Sequence, residues 1–256
     1  MIKEESRFSE KPLFEGMTSI RAVLKAADGK ISDRRIVRVL CAESKAKARE
    51  KELAFLRRRA ESDGFTVEIT DDDTVDAMTT GSTHGGLVAE CTDRTVPPLS
   101  ADALTDNGFY VMIEGIEDPY NFGYAIRSIY ASGADGIILT PRNWMTAAGV
   151  VARASAGTSE MIPLYTAEPT DAAAIFKGSG YKVVSAGIRD SVSAYDADLK
   201  KPLLLIVGGE KRGISGALLA ESDSVVRLDY GREFTGSLSA ASAASILAYE
   251  VLRQNR

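Results

Sequence analysis

The sequence predicts an α/β protein with a parallel sheet in its C-terminal half and a smaller α/β domain before it. The chain has 256 residues, which is enough for two domains that each bury a core. After residue 108, continuously apolar runs alternate with helical segments, as is typical of a parallel sheet covered by helices on both faces. The pair Pro97–Pro98 can continue neither a helix nor a central strand. We therefore predict a first domain at 1–95, a linker at 96–107 and a second domain at 108–256.

The first domain has short strands that alternate with helices. The pattern predicts strands at 36–42, 65–69 and 86–91, a helix at 45–63 and a short helix after residues 71–73. Leu53 and Leu56 form the apolar stripe of the longer helix, and Gly64 ends it. The acidic side chains at 71–73, together with Asp76, could cap the short helix or bind a divalent cation. Capping is the commoner use of such a cluster.

The second domain carries the longer strands. Apolar runs predict strands at 109–116, 136–140, 181–187, 202–209 and 224–230, and helices are predicted at 123–132, 146–156 and 237–253. Strands that are joined through helices lie parallel, so their carboxyl ends meet at one edge of the sheet. Ligands of open parallel sheets bind at that edge. The loops after these strands are therefore the candidate binding loops.

Composition excludes several classes of protein. No apolar run approaches the roughly 20 residues that cross a bilayer, and the charged N-terminus lacks the apolar stretch of a secretory signal. Cys41 and Cys91 are the two cysteines, which argues against a disulfide scaffold, and the single histidine, His84, excludes a multi-histidine metal site. We expect a cytoplasmic protein that binds neither a membrane nor a metal. A dinucleotide fingerprint, a phosphate loop with its lysine and a G-x-S-x-G elbow are also absent from the sequence.

Charge is distributed unevenly along the chain. The net charge is −5, yet residues 34–59 hold ten cations and three acids, a balance of +7 that leaves −12 for the rest. The cations are Arg34, Arg35, Arg38, Lys45, Lys47, Arg49, Lys51, Arg57, Arg58 and Arg59. Such a patch on an acidic protein indicates contact with a polyanion. A solvated helix with Glu–Lys pairs has a similar composition, so charge alone leaves both interpretations open.

The first candidate loop follows the strand that ends at Glu114. Asn121 and Gly123 are expected to shape the turn and to cap the next helix, and Arg127 then lies one turn inside that helix. In that position its side chain would point back toward the ends of the strands.

The second and third loops are rich in small residues. Gly208 and Gly209 would let a ligand touch bare backbone, and Glu210 points into the same space. The third loop includes Gly231 and leads to a helix opened by Ser237. Alanine and serine side chains on that helix allow another backbone to approach closely, either within the fold or across a dimer.

These three loops, in this order and spacing, resemble the three motifs of the SpoU (TrmH-like) branch of the SPOUT RNA methyltransferases, over about 108–256. The matching residues are Asn121, Gly123 and Arg127, a Ser-Ala-Gly segment at 152–164, Gly208 and Glu210, and then Ser237, Leu238, Tyr249 and Glu250. The sequence departs from the family pattern in the third motif. It has Leu228-Asp229-Tyr230 for Ile-Pro-Met and Ser237-Leu238-Ser239 for Ser-Leu-Asn, and Lys211 replaces the glycine after Glu210.

The resemblance implies a C-terminal domain with a deep trefoil knot, preceded by a ribosomal-protein-like domain that binds the RNA substrate. It implies S-adenosylmethionine as the cofactor, held by backbone groups of the second and third loops. The contacts would fall at Gly208, Gly209, Leu228, Gly231, Ser237 and Leu238. It also implies a homodimer in which the partner chain completes each active site.

The implied reaction is methyl transfer to a ribose 2′-hydroxyl of structured RNA, with ribosomal RNA favoured over transfer RNA by the two-domain architecture. The catalytic residues carried over are Arg127, Asn121, Glu210 and Ser239. Arg127 would act as a base or as a cation that stabilises the developing alkoxide, and its firmly held proton favours the second role. Asn121 and Glu210 would position Arg127 or the ribose. Three alternatives stay open: a transfer RNA methyltransferase, a catalytically inactive RNA-binding or ribosome-assembly protein, and a methyltransferase of small molecules.

Overall fold

The computed structural model describes residues 12–80, 84–140, 147–209 and 213–256. These residues divide into two compact units, each with a sheet of its own. The N-terminal unit comprises Met1–Thr95 and Asn143–Met161, and the C-terminal unit comprises Val96–Arg142 and Ile162–Arg256.

Strands and helices alternate along most of the chain. The strands are β1 (Leu13–Glu15), β2 (Ile36–Ala42), β3 (Thr66–Thr70), β4 (Leu87–Cys91), β5 (Phe109–Glu114), β6 (Gly136–Leu139), β7 (Leu164–Thr166), β8 (Lys182–Ala186), β9 (Val192–Ser193), β10 (Leu203–Gly208) and β11 (Ser224–Arg227). The helices are α1 (Gly16–Asp28), α2 (Glu43–Ala46), α3 (Glu50–Asp63), α4 (Asp72–Met78), α5 (Pro119–Ala131), α6 (Ala148–Ala154), α7 (Thr158–Met161), α8 (Pro169–Gly178), α9 (Gly216–Ala220) and α10 (Ala240–Gln254), with a 3₁₀ turn at Ala101–Ala103.

The N-terminal unit is built on a four-stranded sheet in the order β1-β4-β2-β3. Strands β2 and β3 run parallel, and the pairs of β4 with β1 and β2 are antiparallel. One face of the sheet buries Val39 and Leu87 against Ile20 of α1 and Leu56 of α3. The predicted strands and the apolar stripe of α3 are confirmed, whereas β1 and α1 were not predicted.

The described part of the segment that follows β6, residues 147–161, packs with this first unit. Helix α6 approaches β1 so closely that a Cβ added to Gly149 would lie 1.8 Å from the Leu13 carbonyl oxygen. A Cβ on Gly157 would lie 2.4 Å from Ala22 of α1. The predicted domains are continuous and assign this segment to the second one, so the packing of the chain differs there from the prediction. Small residues make this docking possible.

The C-terminal unit is built on a seven-stranded sheet in the order β7-β6-β5-β10-β8-β11-β9, and every pair is parallel. The predicted α/β class and parallel sheet are therefore confirmed, while the knot stays a prediction. One face buries the ring cluster of Tyr110, Phe176 and Tyr181, with centroids 5.1 to 5.8 Å apart. Helix α10 packs against α5 and β10. It buries Ala244 and Ala248, so these small residues serve packing within the fold.

Three predicted helices have different bounds. The helix predicted over 45–63 is two helices, because residues 47–49 form a turn in which Arg49 donates to the Gly85 carbonyl at 3.1 Å. The helix predicted from 123 begins at Pro119, since Asp118 caps it and proline fits the first helical position. Asn121 and Gly123 therefore lie inside α5, and Arg127 is about two turns from its start.

The helix predicted from 237 begins three residues later, at Ala240. Its cap is Ser239, whose hydroxyl accepts a hydrogen bond from the Ser242 amide at 3.1 Å. Ser237, predicted to open this helix, lies outside it. No helix in the described part of the chain is long and apolar enough to cross a bilayer.

Candidate active site

A cavity of about 940 Å³ opens at the carboxyl ends of β8, β10 and β11. It is lined by the loop 187–190 after β8, by Gly208 and Gly209 at the end of β10, by residues 228–230 after β11 and by the first turns of α10. Its size is that of a site for a cofactor-sized molecule. The cavity lies at the edge of the parallel sheet where the sequence predicted binding loops.

The glycines of the second loop are required by the packing of backbone on backbone. A Cβ on Gly209 would lie 2.0 Å from the Gly115 carbonyl oxygen, and one on Gly208 would lie 2.5 Å from the carbonyl carbon of Gly213. The Gly209 amide also donates to the Glu114 carbonyl at 2.6 Å. The glycines thus bring the second loop against the first while they line the cavity.

The third loop is held by the residues that depart from the family pattern. Asp229 accepts hydrogen bonds from the Ser193 hydroxyl and, at 2.9 Å, from Nε of Arg227. The hydrogen bond from Ser193 is the main reason that the pKa of Asp229 is lowered. A proline at this position could make neither bond. Asp229 therefore ties the strand β9 to the cavity wall.

Tyr230 orders the same loop from the other side. Its hydroxyl accepts a hydrogen bond from the Leu238 amide at 3.3 Å, and its ring packs against Phe234 with centroids 5.5 Å apart. These contacts close the loop between β11 and α10.

Most predicted cofactor contacts line this cavity. Gly208, Gly209, Leu228, Ser237 and Leu238 are in its wall, whereas Gly231 lines a neighbouring cavity of about 760 Å³. Glu210 lies outside the residues that the structure describes. The wall formed by the loop 187–190 was not predicted. The sequence contains a signal for this loop, because Gly187 at its start follows a strand at the same edge of the sheet, as Gly209 does.

The predicted catalytic residues are not all brought together in one chain. Arg127 is exposed on α5 and is not among the described residues that line the cavity. Asn121 is in the first turn of α5, where its backbone amide donates to the Asp118 carboxylate at 2.8 Å. Ser239 lies at the start of α10, next to the cavity-lining Leu238 and Ala240, with its hydroxyl engaged in capping.

The basic segment 34–59 is only partly available to a polyanion. Four of its cations are in ion pairs within the N-terminal unit: Arg34 with Glu160, Arg38 with Glu90, Arg49 with Glu52, and Arg59 with Asp28 and Asp63. Arg34 and Glu160 are 2% and 4% exposed, so this pair is structural. Lys45, Lys47, Lys51, Arg57 and Arg58 are exposed and form no ion pair with the residues that the structure describes. Ion pairs within the unit therefore account for part of the segment, and contact with a polyanion stays a prediction for the exposed remainder.

Four other conspicuous side chains have structural roles. Nδ1 of His84 accepts a hydrogen bond from the Gly86 amide at 3.1 Å. Asp71 caps α4 by accepting from the Thr74 amide at 2.8 Å. Cys41 and Cys91 are free and buried, and burial raises the pKa of Cys91 to about 12. Among the described residues, no group of three or more His, Cys, Asp or Glu could hold a metal ion.

Comparison with known families settles the class of protein. Residues 108–249, more than half of the chain, match the model of the SpoU rRNA Methylase family. The chain belongs to this family. Residues 13–97 match a second family model, described as RNA 2'-O ribose methyltransferase substrate binding. The SpoU protein is accordingly an RNA methyltransferase, and the resemblance seen in its motifs is confirmed.

Relatives and solved structures agree over most of the chain. YacO of Bacillus subtilis, named for the TrmH family, is 29% identical over 87% of this chain and 90% of its own length. The 23S rRNA (guanosine-2'-O-)-methyltransferase RlmB of Shewanella oneidensis is 26% identical over 94% of this chain and 96% of its own. An AdoMet-bound rRNA methyltransferase from Sinorhizobium meliloti has the same fold, with a TM-score of 0.76 and 23% identity. The match covers 94% of this chain and 86% of that structure. AviRb of Streptomyces viridochromogenes, in complex with the cofactor AdoMet, has a TM-score of 0.74 and 22% identity, and the match covers 96% of this chain and 92% of AviRb.

Proposed function

We propose that this chain transfers a methyl group from S-adenosylmethionine to a ribose 2′-hydroxyl of structured RNA, with ribosomal RNA as the substrate. The observation that carries the proposal is the cavity at the ends of β8, β10 and β11, on which the second and third motifs converge. The Shewanella oneidensis relative is named for 2′-O-methylation of 23S rRNA, which supports ribosomal RNA over transfer RNA.

The cavity fits S-adenosylmethionine in size and chemistry. Ile188, Leu228 and Leu247 offer apolar walls for an adenine, while glycine backbone at 208–209 can approach a ligand closely. Asp190 supplies a carboxylate at the rim for hydroxyl or ammonium groups. Of the predicted contacts, Gly208, Gly209, Leu228, Ser237 and Leu238 would hold the cofactor, whereas Gly231 lines the neighbouring cavity. When bound, this cofactor supplies a methyl group that is already activated for transfer.

Arg127 is the residue we assign to the reacting oxygen. Its guanidinium is exposed and would hold the RNA phosphate or stabilise the alkoxide that develops on the ribose. Asn121 and Glu210 would position Arg127 or the ribose. The chain's single histidine lies in the N-terminal unit, so the loops of the C-terminal unit contain no imidazole that could serve as a base. Ser239 replaces an asparagine of the family and, as a cap, would act by placing the start of α10.

A homodimer is part of the proposal, because Arg127 is not part of the cavity wall within one chain. Exposed apolar side chains of the C-terminal unit support it: Tyr195, Phe234, Ile246 and Tyr249 are 82%, 54%, 47% and 59% exposed. A partner chain that covers them would explain their exposure. The cytoplasmic location stays a prediction.

The deciding experiment measures cofactor binding and methyl transfer separately. Calorimetry should show S-adenosylmethionine binding in the presence of a chelator, and labelled methyl should appear at ribose in ribosomal RNA from cells that lack this protein. Transfer RNA from the same cells is the parallel substrate. Methylation of transfer RNA alone would overturn the assignment of substrate. Cofactor binding without transfer to either RNA would point to an inactive RNA-binding protein, and no cofactor binding would sink the proposal.

A further inference from the structure

The N-terminal unit contains a second cavity that plays no part in the cofactor site. Its volume is about 470 Å³, and Arg21 of α1, Arg49 before α3 and Arg153 of α6 all line it. These three arginines lie far apart in the sequence, and the fold of one compact unit brings them to one concave surface.

Two of the arginines are held in place by hydrogen bonds. Arg49 donates from Nε to the Gly85 carbonyl at 3.1 Å and from Nη1 to Glu52 at 2.7 Å. Arg153 donates from Nη1 to Glu15 at 2.7 Å. A guanidinium fixed in this way loses less entropy when it takes a ligand, because its planar group is already oriented.

The carboxylates at this cavity are already committed to other groups. Glu15 accepts from the Thr80 amide at 2.7 Å and the Thr80 hydroxyl at 2.9 Å as well as from Arg153, and it is 9% exposed. It precedes α1 but makes no capping bond to it, and the first turn of α1 has no acidic residue. Three guanidinium groups thus face two carboxylates, and the start of α1 adds positive potential.

Arg21 provides the uncompensated charge. It is exposed, its guanidinium carbon lies 5.5 Å from the centroid of the Phe55 ring, and it forms no ion pair within the described part of the unit. An arginine stacked on an aromatic ring keeps its donors directed outward.

A glycine turn places a fourth cation, Lys45, beside the cavity-lining Arg49, although Lys45 itself is not in the cavity wall. Gly85 and Gly86 have φ of +61° and +77°. A Cβ on Gly85 would lie 2.1 Å from Nη2 of Arg49, and one on Gly86 would lie 2.5 Å from Cγ of Lys45. Both side chains therefore lie against this turn because the turn has no side chains of its own. Lys45 is exposed and free of ion pairs to the residues that the structure describes.

We propose that this basic surface, formed by Arg21, Lys45, Arg49 and Arg153, holds a phosphate of the RNA backbone. The inference rests on the proposed function and names the place where the N-terminal unit takes its substrate. Guanidinium groups bind phosphate oxygens through paired hydrogen bonds, and a concave site selects a phosphate that protrudes from a folded RNA. Such a contact fixes the register of the RNA and reads no sequence. Arg153 lies outside the substrate-binding match at 13–97, so the site extends beyond that region.

The test compares two charge-matched double variants of the full chain by filter binding of ribosomal RNA at several salt concentrations. Arg21→Gln with Lys45→Gln removes the two unpaired cations of this surface. Lys25→Gln with Lys200→Gln removes two exposed cations elsewhere and serves as the control. The first variant should lower RNA affinity about tenfold at low salt and reduce the slope of log K against log salt by about 1, because one phosphate contact is lost. The control should change affinity less than about twofold.

Folding and ligand source are checked in the same series. Thermal unfolding and S-adenosylmethionine affinity should match the wild type in both variants, and Arg21→Lys should keep the salt slope. Inorganic phosphate at constant ionic strength should not displace the RNA, and displacement would show a site for a free ion instead. If the folded Arg21→Gln/Lys45→Gln protein binds RNA with the wild-type salt slope, the phosphate site is overturned while the proposed methyltransferase function stands. A wild-type protein that neither binds nor methylates RNA contradicts the proposed function itself.

Discussion

In the N-terminal unit, long charged side chains are fixed by carboxylates and backbone carbonyls, whereas in the C-terminal unit the large cavity is formed by glycine backbone and short side chains. Arg49 and Arg153 are each held by a glutamate, while Gly208 and Gly209 pack directly on other backbone. The first construction suits phosphate, which needs directed positive charge. The second suits a flat, mostly neutral cofactor part that is recognised by shape and backbone groups. The polar groups of each unit are thus suited to a different kind of ligand.

The largest expected effect concerns the buried ion pair of the first unit. Glu160→Gln should lower the free energy of unfolding by about 3 to 5 kcal/mol, because Arg34 would keep a buried charge without its partner. Urea unfolding of the full chain, with hydrogen exchange of the β2 amides, measures it. Arg38→Gln breaks a partly exposed pair and should cost about 1 kcal/mol or less. A loss of under about 1 kcal/mol for Glu160→Gln would show that the pair is solvated.

The next effect tests whether the C-terminal unit, which holds the cavity at the ends of β8, β10 and β11, also supplies the catalytic group Arg127. Arg127→Ala should reduce single-turnover methylation roughly 10²- to 10³-fold, since one donor is lost at the reacting oxygen. RNA affinity should fall only modestly, because one cation contributes little to a wide electrostatic surface. Affinity for S-adenosylmethionine should not change. Methylation by Arg127→Ala at the wild-type rate would remove this residue from the mechanism.

A smaller effect is expected from Asp229, whose carboxylate holds the third loop in the wall of the same cavity. Asp229→Asn should weaken S-adenosylmethionine binding about tenfold by calorimetry, since it loses a charge-assisted bond to Arg227 and weakens the one from Ser193. The hydrogen bond from Ser193 lowers the pKa of Asp229, so the wild-type carboxylate is still charged in the pH range where an ordinary aspartate becomes protonated, and at every higher pH. Wild-type affinity should therefore be flat from pH 8 to pH 5 and fall only below about pH 4. Asp198→Asn, which changes an exposed pair with Lys182 away from the cavity, is the matched control. Equal losses in both variants would contradict the role of Asp229.

The smallest effect concerns the far end of the basic segment. Arg57→Gln with Arg58→Gln removes two exposed, unpaired charges and should lower RNA affinity only a few-fold, with a change in salt slope under about 1. Arg59 is left intact because it is tied to Asp28 and Asp63. If this variant loses as much affinity as Arg21→Gln/Lys45→Gln, the RNA contact is spread along α3 and is not concentrated at the cavity.

The parallel sheet could be predicted because its signal is local. Apolar runs such as 109–114 and 203–208 are buried on both faces, and a continuous run of this kind has few other uses in a water-soluble fold. The start of α5 lies earlier than predicted because Pro119, a residue that interrupts strands, also fits the first position of a helix. The apolar residues of α1 have ordinary helical spacing and were overlooked.

The cavity could be predicted from the sequence only in part. Glycines after strands marked two of its walls, while the loop 187–190 was missed because it carries no motif of the family. The ion pair of Arg34 with Glu160 joins residues 126 positions apart and leaves no local trace in the sequence. From charge alone, Arg34 could not be told apart from Lys45, yet the first is buried and the second exposed.

The discontinuous first unit also determines when that unit can be completed during synthesis. Its sheet is available once the chain has reached Cys91, but Arg34 must wait until Glu160 has left the ribosome. In that interval a positively charged side chain in the core has no counter-ion, and the surfaces of Leu13 and Ala22 that later receive Gly149 and Gly157 stay open to water. Contacts of such long sequence separation slow the final step of folding. A nascent chain halted before residue 143 should therefore hold an N-terminal unit that is collapsed but still sensitive to protease.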